Sequence, residues 1–253
     1  MVVVPASHGW LWVKQGAALF GKAPLTWLLV SIAYWMVMTV LARLPYIGLL
    51  AGSLVTPALA VSFLAMCREL DRGERLKVTL FAAGFRRNLA TLVTLGGLYL
   101  AVTLAIFAAT WLIDGGTLMQ WMLLGKPAAS PLGENETFLT AVLVAILCWI
   151  PVQLAFWFAP VLAAWHDMSA VKALFFSFFA ALRNWTAFVV CALVAGAASG
   201  LVAAALFNLQ RVKPAVAVVP TLIFLLLIVV IPLYYASLYA SYRDVFPERT
   251  PES

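Results

Sequence analysis

Charge is what this chain has least of. Only 10% of its 253 residues are Asp, Glu, Lys or Arg, 65% are hydrophobic, and the mean hydropathy is +1.03. So few charges cannot cover a water-facing surface, which excludes an ordinary soluble domain and makes lipid the solvent for much of the chain. Cysteine is equally sparse. Cys67, Cys148 and Cys191 lie in or beside apolar runs at unrelated spacings without a CxxC pair, so neither a disulfide framework nor a thiolate metal site is indicated. The two histidines, His8 and His166, form no HExxH-type cluster. GxSxG is missing, and Ser53, Ser62 and Ser199 have no nearby histidine. No metal and no cofactor are expected. The first ten residues, MVVVPASHGW, lack the basic start and long apolar core of a cleaved signal peptide, so the first span is expected to direct insertion.

What the chain does have is long apolar runs. A helix needs about 20 apolar residues to cross roughly 30 Å of hydrocarbon. Six such runs are expected as spans, over 24–43, 47–67, 89–113, 138–165, 186–207 and 216–239, within one polytopic domain, 1–253. Pro24 suits a first helical turn, and Pro151 and Pro160 predict a kink in the fourth span. Residues 7–22 are too polar to span. They cluster Trp12, Val13, Gly16, Leu19 and Phe20 on one side, which reads as an interfacial helix with Trp10 and Trp12 at headgroup level. Residues 168–184 place Val171, Leu174, Phe175, Phe178 and Leu182 on one stripe with Ser177 and Asn184 facing away, a second such helix. The fold class is therefore an all-α integral membrane protein, with six transmembrane helices and two or three amphipathic interfacial ones.

Lys and Arg fix the expected orientation. With the N-terminus inside, twelve of the sixteen fall on inner segments, and only Arg43, Lys126, Arg211 and Lys213 fall outside, so both termini are expected in the cytoplasm. Six of the sixteen (Arg68, Arg72, Arg75, Lys77, Arg86 and Arg87) sit in one loop after the second span. The net charge of +6 is accounted for by this bias and by anionic lipid, without nucleic acid.

An internal repeat accompanies that loop. Aligning Pro57 with Pro232 superimposes Ser62 on Ser237, Ala65 on Ala240, Arg68 on Arg243 and Glu69 on Asp244, without a gap. Anchoring on His166-Asp167 adds a third, looser copy. GFRRN (84–88) resembles AALRN (180–184), and LFGKAP (19–24) is a weaker third. Each unit would comprise an interfacial helix, a span, an outer turn and a span closing on a basic–acidic pair, giving a threefold parallel repeat. Positive-inside bias combined with amphipathic helices is the competing account.

With VPASHGWLWVKQG, LPYIG, CRELDRGE and GFRRN in view, the chain resembles the six-span inner-membrane proteins of beta-proteobacteria. More distantly it is similar to YciC-type proteins and to the membrane domains beside some glycerophosphodiester phosphodiesterases. The resemblance spans nearly the whole chain and implies an architecture and a bacterial inner-membrane address, not a reaction.

Chemistry has few carriers. His166-Asp167 is the only His–carboxylate neighbour pair, and its place in the repeat argues for a helix-end role as well as for acid–base work. Gln153 is the polar side chain at mid-span, expected either to serve a transport path or to bond carbonyls freed around Pro151. Gly196 and Gly200 form a GxxxG that suits close helix packing, internal or between copies. Arg68, Arg72, Arg75, Lys77, Arg86 and Arg87 are the candidates for binding anionic phospholipids or a membrane-protein partner, with topology alone as the other account. The expectation is a non-enzymatic inner-membrane protein acting through lipid or protein contacts, as in envelope maintenance. A transporter or lipid-moving protein comes next, then a lipid-modifying enzyme.

Overall fold

The structure is a computed structural model that describes residues 1–44, 47–124, 136–212 and 218–247, apart from several side chains at the facing ends of the last two helices. The turn at Pro45-Tyr46, most of the polar stretch 125–137, Lys126, Lys213, Arg249 and the Arg211 side chain lie outside that description. Every regular element among the described residues is helical, and six helices are long and apolar enough to cross a membrane.

α1 (His8–Lys22) runs into α2 (Pro24–Ala42), whose proline occupies the first turn, where no backbone donor is needed. α3 (Gly48–Asp71) carries Pro57 and ends several residues beyond the expected span, so that Arg68 and Glu69 stay helical. A 3₁₀ helix, Val78–Arg86, forms within the charged loop after α3. α4 (Leu89–Asp114) stops at Gly115, which takes φ 64°, the left-handed value a glycine accepts without penalty. The Asp114 carboxylate then accepts the N–H groups of Gly116 and Leu118, at 2.8 and 2.6 Å, and so starts α5 (Thr117–Leu124).

The fourth span is broken rather than kinked. α6 (Glu136–Phe156) contains Pro151, and a separate α7 (Ala159–Trp165) restarts with Pro160 in its first turn. α8 (Ala170–Arg183) leads into α9 (Trp185–Val212), and α10 (Val218–Val245) carries Pro232 and again extends past its expected end.

Packing sorts these helices into an inner and an outer set. α3, α7 and the second half of α10 are largely buried and meet around Phe63, Phe158, Leu162 and Tyr235, whereas α2, α6 and α9 present most of their surface outward. Exposed Leu, Ile and Phe on the outer helices match a lipid surround. Glycine sets one close crossing. A methyl group on Gly96 of α4 would strike the Ser53 carbonyl and Leu54 of α3, so only glycine lets these spans approach. Among the described residues a methyl group on Gly196 or Gly200 would meet nothing within 4 Å, so the internal packing expected at that GxxxG is not seen there.

The non-spanning helices α1, Val78–Arg86 and α8 collect at one end, where α3, α7 and α10 terminate; this end is called the collar. α1 packs on α10, Val78–Arg86 on α3, and α8 on α6 and α7. Each collar helix thus lies on the span that precedes it in sequence, and α1 closes the circle against the last span.

Candidate functional site

Three aligned residues each bridge two of the inner helices at the collar. Arg68 of α3 lies over the Trp165 ring of α7, its guanidinium carbon 4.3 Å from the centroid. His166, just after α7, shares a 2.7 Å hydrogen bond between Nε2 and the Tyr242 hydroxyl of α10. Arg243 of α10 donates at 3.0 Å to both carboxylate oxygens of Asp71, the last residue of α3. Arg68, His166 and Arg243 are the positions the repeat superimposes, and each reaches to the next inner helix in the same sense. The contacts therefore run in one circuit, α3 to α7 to α10 to α3.

A second layer of polar bonds ties the collar helices to this ring. Asp71 also accepts from the Tyr239 hydroxyl at 3.1 Å, and Gln15 of α1 accepts from Arg243 at 2.9 Å. Asp244 accepts from the Trp12 indole N–H at 2.9 Å and stands 2.9 Å from His8 Nδ1, while Lys22 donates to the Leu70 carbonyl at the end of α3. The Ser62 hydroxyl accepts the Gly84 N–H at 2.9 Å and donates to the Ala58 carbonyl, and a methyl group on Gly84 would collide with that same carbonyl. Asn88, at φ 44°, donates to the Ala163 carbonyl. Asn184 accepts the Val4 N–H and donates to the carbonyls of Val2 and Ala180.

Ser177 of α8 resolves the broken fourth span. Leu154 and Phe158 stand four apart, the spacing of a helical hydrogen bond, but the Ser177 hydroxyl sits between them. It donates to the Leu154 carbonyl at 3.0 Å and accepts the Phe158 N–H at 2.8 Å. Freed backbone groups at membrane depth require such a partner.

Above the collar, a cleft of about 600 Å³ runs between α2, α3, α4, α6 and α10. Its lining runs from Leu41, Ala42 and Gly48, near the end of the spans away from the collar, to Leu64, Pro160 and Leu238. Gln153 projects into it, along with Tyr99, Trp157 and Tyr234. The lining contains no charged residue.

Over 99% of its length the chain is 37% identical to a probable inner membrane protein of Burkholderia thailandensis, 95% of which is covered. The chain belongs to that family of inner-membrane proteins. No family model and no solved structure matches it.

In this inner-membrane protein the sequence candidates separate. Arg72, Arg75, Lys77, Arg86 and Arg87 are exposed on the rim of the collar. Only Arg72 has a carboxylate within 4 Å among the described residues, a loose 3.9 Å contact with Glu69. Arg68 is instead half-buried against Trp165. His166 and Asp167 do not form a couple: His166 engages Tyr242, and Asp167 is exposed at φ 48° with no partner among the described residues. Gln153 makes no hydrogen bond among the described residues, and the carbonyl freed at the helix break goes to Ser177. That corrects the expectation that Gln153 serves the backbone around Pro151.

Trp12 is likewise corrected. It is fully buried, bonded to Asp244 and packed on Phe188, whereas Trp10 is exposed. The α8 stripe is exposed at Val171, Phe175 and Leu182, and the buried face is Ala173, Ser177, Ala180 and Asn184. Small size was the available signal for that inward face. Asp71, Ser177 and Asn184 are the structural hubs that pattern reading missed.

Proposed function

We propose that this chain is a non-enzymatic membrane scaffold whose collar grips anionic phospholipid headgroups, in the service of envelope maintenance. The observation that carries this reading is the cationic rim. Lys14, Arg75, Lys77, Arg86, Arg87, Lys172 and Arg183 are exposed and have no carboxylate within 4 Å among the described residues. Lys14, Arg86, Lys172 and Arg183 sit on the collar helices, and Arg75, Lys77 and Arg87 on the segments that flank Val78–Arg86. Exposed Phe175 and Phe179 on α8 supply an apolar face at the same level. The positive-inside bias places this rim on the cytoplasmic side.

Each cation near an anionic surface contributes about 1 kcal/mol, so removing Arg86 and Arg87 together should weaken binding about thirtyfold at low salt. The test uses nanodiscs of phosphatidylcholine with graded phosphatidylglycerol, and native mass spectrometry to count retained anionic lipids. Equal retention by wild type and by Arg86→Gln/Arg87→Gln would sink the reading. A second polypeptide retained in place of lipid would turn the rim into a docking surface for a membrane partner.

A lipid-moving protein is the second reading, supported by the cleft and by Gln153 within it. Under that reading Gln153→Leu slows fluorescent-lipid exchange between leaflets, whereas the rim variant does not. A lipid-modifying enzyme stands third, since His166 is engaged with Tyr242.

A further inference from the structure

We propose that the cleft binds one neutral lipid carrying a hydrogen-bond-accepting carbonyl on an apolar tail. Its volume of about 600 Å³ falls in the range of about 300–1,000 Å³ usual for small-molecule sites. No lining residue is ionisable as Asp, Glu, Lys, Arg or His, so the cleft has nothing to neutralise a charged headgroup. It does have unmet donors. Among the described residues the Trp157 indole N–H, in the break after α6, is buried without a partner, and the exposed Gln153 amide, which lines the same cleft, makes no hydrogen bond either. An indole nitrogen can only donate, so whatever satisfies it must bring an acceptor. A polar group left unpaired in hydrocarbon is costly, so the Trp157 indole marks where the carbonyl of the occupant lies.

The walls around that point are aromatic. Tyr99 packs edge-on to Phe156 and Trp149, and Trp157 packs edge-on to Tyr234. The rest of the cleft, by Gly48, Leu49 and Gly52, is apolar or small and suits a flexible tail. An isoprenoid quinone ring and a diacylglycerol ester both present this chemistry. The site is separate from the cationic rim, so the failure of either proposal leaves the other standing.

The test uses the full-length protein in detergent with two water-dispersible forms, a decyl-substituted benzoquinone and dioctanoylglycerol, and native mass spectrometry to read adducts. Wild type is expected to retain one molecule of at least one of them. Gly52→Phe fills the cleft from a position where an added side chain meets no neighbour within 4 Å, and should reduce retention at least tenfold. Gln153→Leu should reduce it about tenfold, the loss of one hydrogen bond to the occupant. Unchanged thermal unfolding shows that each variant is folded, and Ala60→Leu, also in the lining, substitutes if Gly52→Phe is not. Preference for the quinone or for the glycerol ester assigns the source, and equal retention supports the shared carbonyl. Retention of neither, or retention unaffected by filling the cleft, overturns the proposal.

Discussion

Replacing Asn184 with Ala should release the N-terminal segment from the collar. The Asn184 side chain is 1% exposed and makes two long-range bonds, accepting from Val4 N at 2.8 Å and donating to the Val2 carbonyl at 3.1 Å. Its third bond, to Ala180, is local to the end of α8. Each long-range bond contributes about 1 kcal/mol net. If Val4 N–H stayed buried without a partner, the cost would be higher still, so the segment should lift toward water instead. Exposing the buried Val4 side chain then adds about 1.5 kcal/mol to what the fold loses. Partial relaxation brings the total to about 2–3 kcal/mol, equivalent to a thirtyfold to hundredfold rise in local opening. Hydrogen exchange followed by mass spectrometry reads this directly: Val2 to Val4 should exchange faster by that factor, while amides in α3 and α4 keep wild-type protection. Unchanged exchange at Val4, or a uniform loosening of the whole bundle, would refute the latch.

Two further outcomes follow from the same packing. Ser177→Ala removes only the hydroxyl between Leu154 and Phe158, and should lower stability by about 2 kcal/mol in detergent-unfolding titrations. Gly84→Val should push Val78–Arg86 off α3 and make Lys77 and Arg86 faster sites of tryptic cleavage. Gly196→Val, at a glycine with no neighbour, should leave both cleavage and stability within about 0.5 kcal/mol of wild type.

The element order was legible because lipid imposes a length and composition rule that a single sequence displays openly. The apolar runs, the turn glycines at Gly115-Gly116 and the polar helix before Pro24 all follow from one-dimensional pattern. Even the equivalence of Arg68, His166 and Arg243 could be read from spacing. Interfacial helices were harder, because in α8 both faces are apolar, one large and one small. Hydrophobicity alone marked the phenylalanine face and left the Ala-Ser-Asn face that docks on the bundle unrecognised.

What the sequence by itself determined is how many helices are long and apolar enough to cross the membrane and which ends gather at the cationic face. Those depend on hydropathy, charge bias and spacing, which are properties of consecutive residues. Only the tertiary structure decided that α1 closes the circle on α10, that Trp12 is interior, that Ser177 mends the broken span and that Gln153 faces a cleft. Each depends on residues tens to hundreds of positions apart in the chain. In a medium where every unpaired polar group is costly, such groups take whichever partner the folded bundle brings near them.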